Sequence, residues 1–168
     1  MKTVILGVVG LLVLYLGIRT YQRLETKKKI ETAVKTFQDF CAFDLKHSGE
    51  LCTDTLSKKP ILLLFIHPEC EFCQEEINYI KNLKAQLEGL TLLLVTHAEK
   101  EQAFEFYTHH QLAQFDNLHL LVDDYLKVAG LYGTPPVPSV FLYDADKQLL
   151  FKHSGEIKIE AILKYISN

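Results

Sequence analysis

Apolar residues fill the first part of the chain almost without interruption. The segment Thr3–Ile18 (TVILGVVGLLVLYLGI) has no charged residue. As an α-helix it would be about 24 Å long, slightly shorter than the hydrocarbon core of a bilayer, and Arg19 and Arg23 after it could reach toward the headgroups. A cleaved signal peptide is the main alternative, but the following RTYQRLETKKK contains no A-x-A-like cleavage site. We therefore predict a transmembrane anchor over residues 1–18.

Polar, lysine-rich sequence follows over residues 19–37, and we predict a juxtamembrane helix or linker there. Residues 1–37 contain seven basic and two acidic residues, a net charge of +5, whereas residues 38–168 contain eleven basic and nineteen acidic ones, a net charge of −8. So acidic a domain is a poor nucleic-acid binder, because phosphate contacts need clustered Lys and Arg. A solvated face near lipid headgroups accounts for the lysines at 27–29.

From residue 38 onward, apolar runs of strand length alternate with helical spacing, which predicts one α/β domain over residues 38–168. Continuous apolar runs predict buried strands at 61–66, 90–95 and 118–122, and helical spacing predicts helices at 71–88, 100–115, 124–131 and 157–166. Hairpins are predicted at 40–45 with 51–56 and at 139–143 with 148–153. We expect a mostly parallel sheet with antiparallel strands at its end. One face of the helix at 71–88 would contain Phe72, Glu76, Ile77, Ile80, Leu83 and Leu87.

A pair of cysteines, Cys70 and Cys73, lies between a predicted buried strand and the start of a predicted amphipathic helix. The free amides and the dipole at a helix start favour an anion, so Cys70 would ionise more readily than a free thiol. Two intervening residues on the first helical turn bring Cys73 close enough to form a disulfide with it. We predict that Cys70 is the nucleophile and Cys73 the resolving thiol.

A CxxC pair can also be half of a zinc site, which needs two further ligands. The candidates are Cys41, Cys52 and seven histidines, and none of them is paired at ligand spacing near a second CxxC. His109 and His110 are neighbours on a predicted helix and would point apart. We therefore favour redox chemistry, and we predict no metal and no cofactor beyond a redox-active disulfide.

The segment HPECEFC between a strand and a helix, followed far downstream by VPSVFLYD and a hairpin, resembles the thioredoxin family over residues 38–168. With its inserted helix and strand and an amino-terminal anchor, the chain is similar to TlpA/ResA-type membrane-tethered thiol–disulfide oxidoreductases. This resemblance implies a thioredoxin-like fold, with a central mixed sheet flanked by helices and a helix–strand insertion. The chain departs from the family at Glu69, where an aromatic residue is usual.

The resemblance also implies site residues. Cys70 and Cys73 match the active-site pair, and Pro138 matches the cis-proline beside it, since cis bonds occur essentially before proline. The preceding residue, Val137, would offer backbone hydrogen bonds to a substrate strand.

Acidic residues surround the cysteine pair at positions 69, 71, 75 and 76. Like charge disfavours a thiolate, so we expect a reductant rather than a strong oxidant. We assign Glu71 and Phe72 to substrate contact. Glu76 matches the last position of the Cys-Glu-x-Cys-x-x-Glu pattern of ResA-like members, which implies a proton acceptor or pKa tuner, and a plain exposed helix glutamate is the alternative.

A second pair of cysteines, Cys41 and Cys52, flanks the first predicted hairpin. A two-residue turn at Ser48-Gly49 would place Cys52 opposite Leu45, so a disulfide needs a bulge, another register or a bend. Two buried free thiols are the alternative. A disulfide, like the family resemblance, favours an extracytoplasmic domain, although the basic residues after the anchor favour a cytoplasmic one. We expect the domain to lie outside the cytosol, in the periplasm or at the cell surface.

The expected function is that of a membrane-anchored thiol–disulfide oxidoreductase that reduces disulfides of extracytoplasmic proteins. Its partners would be a disulfide-containing protein substrate and an upstream thiol reductant. A peroxidase of peroxiredoxin type shares the fold, but it needs Thr or Ser three residues before its reactive cysteine, where Cys70 has His67. A thioredoxin-like copper-binding module would supply a histidine just before the final hairpin, where this chain has Pro135-Pro136-Val137.

Overall fold

The computed structural model describes residues 2–165, and the side chains of residues 2–9, 11 and 125 lie outside that description. The strands are β1 (Cys41–Asp44), β2 (Gly49–Cys52), β3 (Ile61–Phe65), β4 (Thr91–Thr96), β5 (Leu118–Val122), β6 (Ser139–Tyr143) and β7 (Leu149–Ser154). The helices are α1 (Lys2–Ala33), α2 (Glu71–Asn82), α3 (Lys84–Leu87), α4 (Lys100–His109), α5 (Lys127–Leu131) and α6 (Glu160–Leu163).

The strands form one mixed sheet in the order β2-β1-β5-β4-β3-β6-β7. The three central strands β3, β4 and β5 are parallel, whereas β6 pairs antiparallel with β3, β1 pairs antiparallel with β5, and both outer hairpins are antiparallel. The mixed thioredoxin-like sheet is therefore confirmed, but the expectation of a mostly parallel sheet is wrong. A run that is apolar throughout shows burial on both faces and does not reveal the direction of the strand.

Strands β3, β4 and β6 are buried along their whole length, so the core lies on both faces of the sheet. One face packs against α2, α4 and the turn after α4, through residues that include Ile77, Ile80, Leu87, Phe106 and Leu112. The other face packs against the segment after α1 and against α5, through residues that include Val34, Phe37, Val128 and Tyr132. Burial of this apolar surface is the main force that holds the sheet and helices together.

The predicted helix at 71–88 is divided in two, α2 and α3, at Leu83. The buried side of α2 consists of Cys73, Glu76, Ile77 and Ile80. Phe72 is 55% exposed, so its expected place on the apolar face is wrong. It precedes Cys73 by one residue, which turns its side chain about 100° around the helix axis from the buried face.

Three other helices are shorter than their patterns predicted. The helix predicted at 124–131 covers only Lys127–Leu131, after a 3-10 turn at Asp124–Leu126. The helix predicted at 100–115 ends at His109, since Gln111 adopts a left-handed backbone (φ 54°) and only a 3-10 turn, Leu112–Gln114, follows. The closing helix predicted at 157–166 covers only Glu160–Leu163, and residue 166 lies outside the described residues.

The first hairpin has its turn slightly earlier in the chain than predicted. Residues 45–48 separate β1 from β2, and Cys41 pairs directly with Cys52. This is the other register that a disulfide required, since a two-residue turn at Ser48-Gly49 would have placed Cys52 opposite Leu45. The two sulfur atoms form a disulfide across this pair, so the alternative of two free thiols does not apply.

Helix α1 runs from Lys2 to Ala33 without a break between the predicted anchor and the predicted juxtamembrane segment. Its carboxyl end docks on the domain, where Ile30 packs against the core cluster that contains Val34 and Phe37. The predicted anchor at 1–18 falls largely on residues whose side chains are outside the description. Within the part of the chain that is described, no helix combines the length and the apolar character needed to cross a membrane.

Candidate redox active site

The loop after β3 positions the first cysteine at the start of α2. Cys70 is the N-cap residue of α2, with an extended backbone (φ −86°, ψ 110°), and its Sγ accepts a hydrogen bond from the backbone N–H of Cys73 at 3.2 Å. A sulfur at an N-cap therefore takes the place of the Ser or Asp oxygen that usually satisfies the free amides there. These amides and the helix dipole are available to stabilise negative charge on this sulfur.

The two thiols differ in exposure. Cys70 is half-buried, whereas Cys73 is fully buried on the core side of α2, and neither is in a disulfide. Burial raises the pKa of the Cys73 thiol, and the neighbouring Cys70 and Glu76 raise it further, against a hydrogen bond from the backbone of His67. Cys70 is thus the thiol that a large substrate can reach, and Cys73 is held as a neutral thiol behind it.

The Val137–Pro138 peptide bond is cis, as the resemblance implied. Ser139 pairs with Phe65 at the end of β3, so Pro138 lies beside the start of the loop that leads to Cys70. Two hydrogen bonds of the Ser139 hydroxyl fix the segment that contains Pro138. The hydroxyl donates to the Pro136 carbonyl at 2.6 Å and lies 2.9 Å from the hydroxyl oxygen of Ser154. Within the described chain, the backbone of Val137 makes no hydrogen bond, which leaves its N–H and C=O available to an added strand.

Glu76 lies one turn after Cys73 and is fully buried. One carboxylate oxygen, Oε1, accepts a hydrogen bond from the backbone N–H of Ile157 at 3.1 Å, and the other, Oε2, has no partner among the described residues. Burial raises the pKa of Glu76 to about 7, with a further contribution from the charge of Glu156, although the Ile157 hydrogen bond opposes the rise. The alternative of a plain exposed helix glutamate is therefore wrong.

The surface around Cys70 is acidic, with one exposed aromatic ring. Glu69, Glu71 and Glu75 are all exposed, and Phe72 extends from the same first turn of α2. The structure thus brings the predicted substrate-contact residues Glu71 and Phe72 to the rim of the site, on the solvent side of the thiols.

Sequence reasoning did not identify His97, whose ring lies next to the loop before Cys70. The rings of His67 and His97 lie 5.0 Å apart, and His67 Nδ1 accepts a hydrogen bond from the Glu69 backbone N–H at 3.3 Å. His97 follows β4, and the carboxyl ends of the neighbouring parallel strands β3 and β4 meet at one edge of the sheet. Adjacent parallel strands would have been the signal, because residues just after their ends become neighbours.

Three cavities lie close to this part of the fold. A small one of about 150 Å³ lies next to Val137 and is lined by residues that include Phe65, His97 and Ala129. A larger cleft of about 770 Å³ separates α1 from the segment 132–136, and neither cysteine of the pair lines it. A third, of about 390 Å³, is lined by residues on either side of Cys70 that include Pro68, Glu69 and Gln74.

The second cysteine pair is remote from this site. The Cys41–Cys52 disulfide joins β1 to the edge strand β2, whereas the loop to Cys70 starts from β3 in the sheet interior. Strands β5 and β4 separate the two. This arrangement gives the disulfide a structural place in the hairpin and no contact with the CxxC pair.

A CxxC pair that starts a helix after a buried central strand, with a cis-proline beside it, defines a thioredoxin-like protein. The fold and the site together place the chain in this class. It belongs to the AhpC/TSA family, whose model matches residues 34–152.

Curated relatives carry the name of one kind of enzyme. The chain is 25% identical over 152 residues to the thiol-disulfide oxidoreductase ResA of Bacillus thuringiensis, an alignment that covers 89% of this chain and 86% of the relative. It is also 25% identical over 170 residues to the ResA protein of Geobacillus kaustophilus, which covers 100% of this chain and 94% of that relative.

Solved structures share the fold at lower identity. A secreted disulfide oxidoreductase of Mycobacterium tuberculosis, described as homologous to E. coli DsbE, superposes with a TM-score of 0.66 at 18% identity, over 81% of this chain and 97% of that one. The peroxidoxin BcpB of the same organism superposes with a TM-score of 0.64 at 18% identity, over 78% and 93% of the two chains. These likenesses establish the thioredoxin-like fold.

Proposed function

We propose that this protein is a membrane-anchored thiol–disulfide oxidoreductase that uses Cys70 and Cys73 to reduce disulfides of extracytoplasmic proteins. The observation that carries the proposal is the half-exposed Cys70 at the start of α2, backed by the buried Cys73 and flanked by the cis bond before Pro138. The names of the ResA relatives support the same chemistry. The reaction needs no cofactor other than the cysteine pair.

The reaction proceeds in two exchanges. The Cys70 thiolate attacks one sulfur of a substrate disulfide, forms a mixed disulfide and releases the other substrate sulfur as a thiolate, which takes up a proton. Cys73 then loses its proton and attacks Cys70 Sγ, which frees the second substrate thiol and leaves a Cys70–Cys73 disulfide. Two electrons pass from the pair to the substrate, and an upstream thiol reductant returns them.

Glu76 is the proposed acceptor of the Cys73 proton. Its charge acts on Cys73, its Oε2 is unpartnered, and burial raises its pKa to about 7, close to neutral pH. A base with a pKa near the working pH is well suited to take a proton that must later be returned. Because Cys73 is buried and its own pKa is raised, it needs such a nearby base to become a nucleophile.

The residues at the rim of the site, Val137, Phe72 and Glu71, would bind the substrate. The free backbone N–H and C=O of Val137 would form strand-like hydrogen bonds with the backbone of an extended substrate segment. Such bonds do not depend on the side chains of the substrate. Phe72 offers an exposed apolar contact on the other side of Cys70, and Glu71 adds negative charge there. A peptide with basic or apolar residues next to its disulfide suits this rim.

Anchoring and compartment belong to the same proposal, with residues 1–18 as the transmembrane segment, 19–37 as the juxtamembrane helix and 38–168 as the catalytic domain. Residues Leu12–Leu16 and Ile18 on α1 are each more than half exposed, so this apolar part of the helix has no cover from the domain. A lipid environment would cover it. The Cys41–Cys52 disulfide favours an oxidising compartment.

The test is to trap the mixed disulfide. Cys73→Ser, produced in the full chain, should accumulate a covalent adduct on Cys70 with a disulfide-containing protein, and a reducing agent should release it. Cys70→Ser is the matched control and should form no adduct, because Cys73 is buried. Equal adducts in both variants, or none in either, would refute the assignment of Cys70 as the nucleophile.

A peroxidase is the second candidate, because the AhpC/TSA family and the BcpB neighbour favour it. A peroxidatic cysteine needs a hydroxyl side chain three residues earlier, and Cys70 has His67 at that position. We expect the full chain, supplied with a thiol reductant, to consume no peroxide above the uncatalysed rate. Rapid consumption that depends on Cys70 would establish the peroxidase instead.

A further inference from the structure

Three potential metal ligands meet at the far end of the first hairpin, away from the cysteine pair. Asp44 ends β1, His47 lies in the turn that follows, and His119 lies on β5. One ligand atom from each residue lies within 4.8 Å of the other two. The sequence predicted no metal site, because only Asp44-x-x-His47 is local and His119 is 75 residues from Asp44.

The carboxylate of Asp44 is the centre of this cluster. The side chain is 1% exposed, and its Oδ2 lies 2.6 Å from His47 Nδ1 and 2.9 Å from His119 Nδ1. Its Oδ1 accepts the backbone N–H of Lys46 at 3.1 Å. A buried carboxylate is costly unless it is hydrogen-bonded or paired with an opposite charge, and both histidine rings and the Lys46 backbone N–H face this one.

The ammonium group of the lysine in the same turn is bound elsewhere. The Lys46 ammonium donates to the backbone carbonyls of Phe115 and Asp116 at 2.9 and 2.8 Å, and so holds the turn against the segment before β5. His119 is 12% exposed and is fixed on a strand that pairs with β1. His47 is 61% exposed, which opens the cluster to solvent and gives an ion a path of entry.

We propose that Asp44, His47 and His119 form a binding site for a divalent transition-metal ion of the Zn²⁺ type, with water as the fourth ligand. Two imidazoles and one carboxylate are a ligand set that Zn²⁺ favours, and late first-row metals in general prefer imidazole nitrogen. The ion would add positive charge next to the buried carboxylate. Nothing in the exchange chemistry of Cys70 and Cys73 uses these residues.

The site accepts an ion with a small local adjustment. Zinc bonds of about 2.0–2.2 Å place tetrahedral ligand atoms about 3.4 Å apart, so both Nδ1 atoms must move away from Oδ2 by less than about 1 Å. His47 can move, because it is exposed in a turn. Each ring then binds the ion through the nitrogen that faces the carboxylate and carries its proton on the other nitrogen. The bound ion ties the hairpin turn to β5.

The experiment is a Zn²⁺ titration of the full chain by isothermal calorimetry, after chelator treatment. The protein is first oxidised until no free thiol is left, so that Cys70 and Cys73 cannot bind the metal. We expect one Zn²⁺ per chain, with affinity at least about tenfold weaker in His47→Asn and in His119→Asn. His109→Asn is the matched control, because His109 is exposed on α4 outside the cluster, and it should bind as the unmodified chain does.

A second readout guards against misfolded variants. Zn²⁺ should raise the thermal midpoint of the unmodified chain and of His109→Asn, but not that of His47→Asn, whose exposed turn position keeps the fold intact. Absence of stoichiometric binding, or binding that both cluster variants retain in full, would show a hydrogen-bonded Asp–His cluster without a metal. The proposed thiol chemistry would be unaffected by that result, since it is measured at Cys70.

Discussion

At the residue scale, the protonation state of Glu76 depends strongly on its surroundings. An ionised carboxylate in this buried position has one hydrogen bond, from Ile157, and its second oxygen is unpartnered. Burial raises its pKa from 4.5 to about 7, so the folded protein holds a proton on Glu76 in a pH range where the unfolded chain has released it. The folded state therefore loses stability as pH rises from about 4.5 through 7.

This linkage predicts a difference between Glu76→Gln and the unmodified protein. Between pH 5 and pH 8, the free energy of unfolding of the unmodified protein should fall by about 2.5 kcal/mol from this group alone, and the Gln variant should lack that part of the fall. Urea unfolding at the two pH values measures it. Glu75→Gln, at an exposed neighbouring position, should keep the full fall. An equal fall in Glu76→Gln would show that Glu76 is not the responsible group.

The backbone of Gly133 allows a close contact between α1 and the segment at 132–136. It has a positive φ of 78°, which L side chains rarely adopt, and a Cβ placed on it would lie 2.9 Å from Cγ2 of Ile30 on α1. The close approach of α1 to the segment at 132–136 thus requires glycine there.

We expect Gly133→Ala to lower the free energy of unfolding by about 1–2 kcal/mol, because the left-handed backbone and the contact with Ile30 both disfavour a side chain. Gly89→Ala is the control, since a Cβ at Gly89 meets nothing within 4 Å. Denaturant unfolding of the two variants gives the comparison. Equal free energies of unfolding of Gly133→Ala and Gly89→Ala would mean that α1 is not in close contact with Gly133 in solution.

At the scale of elements, the β1–β2 hairpin is a short edge of the sheet that a covalent link stabilises. Its two strands are four residues each, at one edge of the sheet, and β2 is exposed or half-buried along its length. The Cys41–Cys52 disulfide joins the strands at the end opposite the turn. A cross-link of this loop length stabilises mainly by restricting the unfolded chain.

Removal of this link in Cys41→Ser/Cys52→Ser should lower the free energy of unfolding by about 3 kcal/mol. The exchange activity of the CxxC pair should persist below the unfolding transition, because two strands separate the hairpin from β3. Adding a reductant should destabilise the unmodified protein more than the double variant, in which only the Cys70–Cys73 pair can be reduced. Loss of activity in a variant that is still folded would place the hairpin in the active site and contradict this account.

At the scale of the whole molecule, local signals predicted more than distant ones. The CxxC pair and the strand before it are each encoded within a few residues, and the cis-proline was implied by the family resemblance. The structure places all three as a thioredoxin-like site requires. The burial of Glu76 depends on Ile157, 81 residues away, and no local pattern contains that contact. The exposure of Phe72 was missed because its hydrophobicity suggested a core position, whereas the turn of the helix gives that position to Cys73.

Strand direction and register are further properties that periodicity leaves open. Strands β3 and β6 are buried throughout, and their antiparallel pairing comes from the path of the chain between them. The hairpin register depends on turn length, which the sequence left open. The cluster of Asp44 and His119 likewise exists only because β1 pairs with β5.

The whole molecule places a neutral, buried Cys73 and several carboxyl groups next to Cys70. Burial and the neighbouring carboxylate raise the pKa of the Cys73 thiol, so the reduced pair gains no stability from charge at Cys73. We therefore expect the pair to give up electrons readily and to act as a reductant. Strong oxidants instead have a stabilised reduced form.

An equilibrium titration of the full chain in glutathione or dithiothreitol buffers, with the Cys70 and Cys73 thiols counted by alkylation and mass, measures this directly. We predict a single two-electron transition with a potential nearer the value of about −270 mV known for thioredoxin than the value of about −120 mV known for strong oxidants. A potential above about −150 mV, or no reversible Cys70–Cys73 disulfide at any buffer ratio, would contradict the account.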